Sequence, residues 1–83
     1  MKFLVEIDIM PRKELLDPQG KAVTNGLHNI GFTTLDNVRV GKHINYEVES
    51  ESEMAAKEQA ENACKKLLAN LVMESYHIHI SAI

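Results

Sequence analysis

The pair Asp17-Pro18 constrains the fold more than any other feature of the chain. A run that alternates like a strand ends just before it, and a run with helical spacing begins inside it. Asp17 is suited to accept hydrogen bonds from the free N–H groups of a helix's first turn, and Pro18 fits the first helical position, where its missing N–H costs nothing. A chain of 83 residues that must turn a corner here has room for one domain, residues 1–83. A domain of this size buries only a little over roughly 60% of the surface its unfolded form exposes. Hydrophobic residues make up 45% of the chain, yet there are two Phe, two Tyr and no Trp. The core is therefore aliphatic, and leftover apolar surface is expected to be completed by a partner chain.

Before the corner, Phe3, Val5, Ile7 and Ile9 alternate with Leu4, Glu6, Asp8 and Met10, which predicts a strand that Pro11 ends. After it, Ala22, Val23, Leu27 and Ile30 recur at helical spacing, with Gly26 on the same side as a place for close approach and Gly31 as a left-handed terminator. The helix is then roughly residues 18–30. From Leu35 to Glu49 alternation returns, with Val38, Val40, Ile44, Tyr46 and Val48 on one face. A loop over residues 41–43 pairs Val40 with Ile44 and Val38 with Tyr46; the alternative is one long strand bent at Gly41. The usual strand length of about five or six residues favours the hairpin.

Ser50 and Glu53 have the spacing of a capping box, and Ala56, Ala60, Ala63, Cys64, Leu67 and Leu68 form the apolar face of a second helix, with Asn70 as a left-handed stop. A last strand from about Met73 points Tyr76, Ile78, Ile80 and Ala82 inward and His77, His79 and Ser81 outward. The order strand, helix, strand, strand, helix, strand predicts an α+β, ferredoxin-like βαββαβ domain: a four-stranded antiparallel sheet with two helices on one face. That fold hosts enzymes, RNA binders and assembly subunits alike, so it does not choose a function.

Charge narrows the choice. A net charge of −3 and scattered Lys and Arg argue against a nucleic-acid partner, which requires a basic face. The polar faces also lack the exposed aromatics of an RNA-binding sheet. No apolar run is long enough for a membrane span, no secretory signal is visible, and the single Cys64 has no intramolecular partner, so a reduced, cytoplasmic setting is expected.

Candidate chemistry is sparse. Cys64 lies on an apolar helix face near the C-terminal half, where the dipole disfavours a thiolate, and reads as a buried thiol. Glu6 and Asp8 share a strand face with no pocket-forming loop nearby, and read as solvated or interfacial. His77 and His79 alternate on one strand and, with His43, offer imidazoles to a metal, but no carboxylate or thiolate stands at ligand spacing in the sequence. A polar sheet face is the plainer reading, and no metal site is expected. Arg39, Gly41, Lys42 and His43 make a cationic tip without the glycines and Ser or Thr of a P-loop, best read as a charged or partner-docking turn.

The chain resembles the PurS family, the small subunit of bacterial and archaeal phosphoribosylformylglycinamidine synthase. The resemblance rests on Leu16-Asp17-Pro18-Gln19-Gly20 with Ala22-Val23, on Leu27 and Gly31-Phe32, on Asn37-Val38-Arg39-Val40-Gly41-Lys42 with Ile44, and on Lys66-Leu67-Leu68-Ala69-Asn70 with Val72, Glu74 and Tyr76. It departs at Leu71, where the family usually has proline, at Met73, often isoleucine, and at Ser75, commonly aspartate. The resemblance implies a non-catalytic part in the ATP- and glutamine-dependent conversion of formylglycinamide ribonucleotide to its amidine in purine biosynthesis. It implies a homodimer, or a dimer of dimers, that bridges a glutaminase (PurQ-type) and a synthetase (PurL-type) subunit and assists ammonia transfer. No cofactor is expected on this chain itself; ATP and Mg belong to the synthetase subunit. The sheet edge or its second face is the expected dimer surface. Asp17, Gln19, Gly20, Arg39, Gly41, Lys42 and Asn70 are the expected partner-binding residues. The competing class is a free-standing dimeric sensor or binding module for small molecules.

Overall fold

The computed structural model describes residues 1–83 except Glu14 and Leu16, so Leu16 of the first family block lies outside the described residues. Chain order is β1 (Lys2–Pro11), α1 (Pro18–Asn29), β2 (Lys42–Glu49), α2 (Glu53–Ala63), a single π-helical turn (Cys64–Leu68) and β3 (Glu74–Ala82).

The strands form one antiparallel sheet in the order β2-β1-β3, with β1 in the centre. Alternation along β1 does what its pattern dictates: Phe3, Val5, Ile7 and Ile9 are buried on one face. Each such side chain contributes about 1.5–3 kcal/mol relative to an exposed one. They make the core with Ala60 and Cys64, and Ile44, Tyr46, Val48, Tyr76, Ile78 and Ile80 pack around it half-buried. Helix α2 lies over β3 and β1, and its small Ala56, Ala60 and the following Cys64 are fully buried, so the helix sits close to the sheet.

The expected fourth strand is absent among the described residues. Neither the hairpin at residues 41–43 nor a single bent strand forms; β2 begins only at Lys42. Both edges of β1 are already taken by β2 and β3, and the backbone of residues 38–40 finds its partners elsewhere. Val38 N–H donates to Thr24 Oγ1 at 3.3 Å and Val40 N–H to Asp17 Oδ2 at 3.2 Å, both on α1 or its cap. Nor do two helices share the sheet face. Only α2 is docked there, while α1 has no substantial packing on any strand.

Helix α1 starts and stops as its sequence predicts. Asp17 caps it by accepting Gly20 N–H at 3.0 Å, Pro18 is its first residue, and Gly31 closes it at φ +102°. Close approach occurs at Gly20 and not at Gly26. A Cβ on Gly20 would collide with the Val38 carbonyl and the Asp17 carboxylate, whereas Gly26 faces open space. The cap of α2 is Ser52 and not Ser50: Ser52 Oγ accepts Ala55 N–H at 3.1 Å, while Ser50 Oγ donates to the Ser52 carbonyl. Asn70 does not stop the second helix in a left-handed conformation. The helix widens into the π turn, closed by Ala69 N–H to the Cys64 carbonyl, and among the described residues the left-handed non-glycine one is Asn37 at φ 53°. In β3, Tyr76, Ile78 and Ile80 point inward as expected, but Ala82 is exposed.

Candidate functional site: the polar end of the sheet

The C-terminal end of β1, the starts of β2 and β3 and the start of α1 meet at one end of the molecule. Asp17 organises it. One carboxylate oxygen holds Gly20 N–H and the other Val40 N–H, so one side chain ties the helix to the segment before β2. These bonds, the Gly20 one first, hold its carboxyl below the usual carboxylate range, and the nearby Arg39 charge adds to the effect. Thr24 repeats the tie one turn later, donating to the Gly20 carbonyl at 3.0 Å and accepting from Val38. Thr24 is buried with both bonds satisfied.

The β3 side is tied just as closely. Glu74 accepts Asn70 N–H at 2.8 Å through one oxygen, and its other oxygen lies 3.8 Å from Lys42 Nζ. Asn70 Oδ1 accepts Val72 N–H, which turns the chain into β3. Arg12 reaches over this turn, donating from Nε and Nη2 to the Leu71 carbonyl at 3.1 and 2.8 Å. Gly41 lies so close to the Ile9 carbonyl and the Met10 sulfur that a Cβ would not fit.

All seven residues expected from the sequence therefore gather at this end. Asp17, Gln19 and Asn70 line one open groove of about 500 Å³ with Val40 and Glu74; Asp17 and Arg39 line a neighbouring one of about 620 Å³ with Lys21 and Asn25. At Gly20 and Gly41 the backbone comes close to the Val38 and Ile9 carbonyls, and Lys42 pairs with Glu74. Sequence reasoning missed Thr24, Arg12 and the bridging part of Glu74. Thr24 carried one signal, a β-branched hydroxyl among the apolar positions of a helix.

Asp17, Thr24, Arg12, Asn70 and Glu74 all bond backbone at this end, and Cys64, buried where α2 ends, has its thiol pushed up by burial, away from the reactive form. Among the described residues no helix is long and apolar enough to cross a membrane.

A three-stranded sheet with one docked helix, one undocked helix and a tightly laced polar end defines a small α+β domain. Comparison gives the family. The model described as PurS, phosphoribosylformylglycinamidine (FGAM) synthase, matches residues 4–82. The chain is 38% identical over 81 residues to the PurS subunit of Methanocaldococcus jannaschii, covering 98% of both chains, and 40% identical over 72 residues to that of Synechocystis, covering 87% of this chain and 72% of the other. The crystal structure of the M. jannaschii PurS superposes with a TM-score of 0.87 at 33% identity over 98% of each chain. A chain in the PurLQS structure of Thermotoga maritima superposes at 0.89 with 32% identity, covering 98% of this chain and 99% of that one. The chain belongs to the PurS family of FGAM synthase subunits, in purine biosynthesis.

Proposed function

We propose that this chain is the non-catalytic subunit that joins the glutaminase and synthetase subunits of an FGAM synthase complex and assists ammonia transfer between them. The observation that carries this reading is its full-length similarity to a chain in the PurLQS assembly of T. maritima. The site's chemistry fits it: the polar end offers grooves and charges at Gln19, Arg39, Lys42 and Asn70 for docking, while Asp17, Gly20 and Gly41 hold that surface in shape. ATP and Mg are assigned to the synthetase subunit, no cofactor is assigned to this chain, and the complex is placed in the cytoplasm.

The chain works as a homodimer in this reading. Val23, Ile30, Phe32 and Leu35, on or just after α1, are 40%, 70%, 55% and 44% exposed, and Ile44, Tyr46 and Val48 of β2 are only half-buried, with neither helix packed substantially on that strand. The apolar side chains on and after α1 and the half-covered face of β2 are complementary, so in this reading α1 and the segment after it pack over β2 of the partner. The sheet edge or its second face, expected from the sequence as the dimer surface, is the alternative.

The test is glutamine-dependent amidine formation by purified synthetase and glutaminase subunits, with and without this chain. The expected result is a large gain with glutamine and little change with free ammonia. Failure of both rates to respond rejects the bridging reading in favour of a small-molecule-binding module. Arg39→Ala and Lys42→Ala are each expected to weaken complex formation about tenfold, as for loss of roughly 1.4 kcal/mol of docking energy. Unchanged affinity in pull-down titrations removes that residue from the surface.

A further inference from the structure

The larger of the two grooves at the polar end is set apart by its charge. It measures about 620 Å³, and its walls carry Lys13, Lys21 and Arg39 against the carboxylates of Asp17 and Asp36. Both carboxylates are engaged by backbone: Asp17 holds Gly20 and Val40 N–H, and Asp36 Oδ1 accepts Asn37 N–H at 2.9 Å. The cations are less committed. Among the described residues, the ion pairs engage the N-terminus, Lys2, Lys42 and His43, and neither Lys21 nor Arg39. A chain of net charge −3 thus sets unpaired cations along one groove. Arg39 is also held in place. Val38 N–H donates to the buried Thr24 Oγ1 and Val40 N–H to Asp17 Oδ2, so the backbone on either side of Arg39 is pinned to α1 and its cap. Thr24 is fixed in turn by its bond to the Gly20 carbonyl. Arg39 is half-buried and Lys21 exposed, which sets a seated guanidinium beside a solvated ammonium.

We propose that this groove docks an extended, acidic segment of one of the larger subunits, with carboxylates on Arg39 and Lys21. This rests on the joining role proposed above and names what that role recognises. A planar guanidinium meets a carboxylate with two parallel N–H groups, and an ammonium adds a point charge alongside. Pinning Val38 and Val40 lowers the ordering cost of binding, since the Arg39 backbone is in place before the partner arrives. The cations come from three segments: residue 13 after β1, residue 21 on α1 and residue 39 before β2. An open groove of this volume, lined from three sides, fits a chain bearing several carboxylates better than one small anion. Lys42 already pairs with Glu74 and does not line this groove. Lys21, Asn25 and His28, at i, i+4 and i+7, place the groove on a face of α1 about half a turn from Val23 and Ile30. The apolar face assigned to the dimer and the charged groove are therefore used at the same time.

The test measures complex formation by the full chain with purified synthetase and glutaminase subunits in pull-down titrations, each variant being checked by thermal melting. Lys21→Glu is expected to weaken binding at least about tenfold and Lys21→Arg by less than about twofold, while Lys57→Glu, exposed on α2, changes nothing. The loss in Lys21→Glu shrinks as salt is raised, because the contacts it removes are screened. Thr24→Val weakens assembly, Thr24→Ser does not, and Thr24→Val adds nothing in an Arg39→Ala chain, because Thr24 acts through that side chain. Carbodiimide coupling, which joins a lysine amine to a touching carboxylate, links Lys21 to an Asp or Glu of a larger subunit, read by mass spectrometry. A wild type that binds neither subunit defeats the joining role and the groove with it. A wild type that binds while Lys21→Glu binds equally well overturns the groove alone, as does coupling of Lys21 only to this chain or a second copy. Binding of inorganic pyrophosphate that is lost in Lys21→Glu, with no coupling to a subunit, makes the groove a small-anion site and overturns the proposal. Additive losses from Thr24→Val and Arg39→Ala overturn the part given to Thr24.

Discussion

Asp17 carries two jobs on one carboxylate, and pH separates them. Its folded pKa lies below the ordinary value because Gly20 and Val40 N–H groups bond the ionised form. A depressed carboxylate pKa stabilises the fold above the unfolded value of about 3.9, and that contribution is lost as pH falls through the folded pKa. Asp17→Asn keeps the shape but turns an N–H donor toward one of the two backbone donors. The variant is expected to melt roughly 5 °C lower near neutral pH, and the gap from wild type to close as the pH drops below about 4. Thermal midpoints of both proteins across that range check it; a gap that persists at low pH would show that the charge is not what matters. The cap was legible in the sequence because Asp-Pro before a helical run has one local meaning. The bond to Val40 was not, since it joins residues 23 apart in sequence and no periodicity reports a side chain that reaches across a corner.

Elements were read well where one residue's chemistry decides and poorly where two candidates compete. β1, α1 and the inward face of β3 follow from alternation, Pro18 and Gly31. The strand pattern of Val38 and Val40 misled because alternation records which face is apolar and not what the backbone bonds to; Thr24 and Asp17 outcompete a fourth strand for those N–H groups. The cap of α2 is a similar contest. Ser50 and Ser52 both precede the helix, and the extended backbone of Ser52, at φ −156° and ψ 160°, places its hydroxyl on Ala55 N–H. Ser52→Ala is expected to cost about 1 kcal/mol and Ser50→Ala less than about 0.5 kcal/mol, measured by urea unfolding. Equal costs would restore the capping box at Ser50. The clustering of the seven expected site residues was legible only as a list; that they share one end depends on strand order, which fixes Asn70 beside Lys42 through Glu74.

At the scale of the whole molecule the chain is too long for its mass. Its radius of gyration is 16.3 Å, against roughly 12 Å for a compact chain of this length, and its extents are 50 × 27 × 14 Å. The excess is α1 and the segment after it, standing off a sheet they do not cover. The proposed dimerisation through α1 makes a sharp expectation. Val23→Lys combined with Ile30→Lys, one face of the helix two turns apart, raises the dimer dissociation constant at least about tenfold in sedimentation equilibrium, because two apolar contacts become charged. An unchanged sedimentation profile would place the interface elsewhere.

The position of β1 has a consequence for how the chain is made. The central strand is synthesised before its two neighbours, yet Lys2 pairs with Glu49 and Phe3 with Ala82, so every rung of its ladder closes a long loop. Sheets built from such distant pairings fold slowly, because chain entropy is lost before contacts repay it. On the ribosome, Phe3, Val5, Ile7 and Ile9 emerge with nothing to cover them, and the second edge of β1 is not filled until β3, ending at Ala82, has cleared the exit tunnel. Folding therefore waits for the synthesis of β3, and a chain truncated before it keeps two of the three strands and leaves one edge of the central strand unpaired.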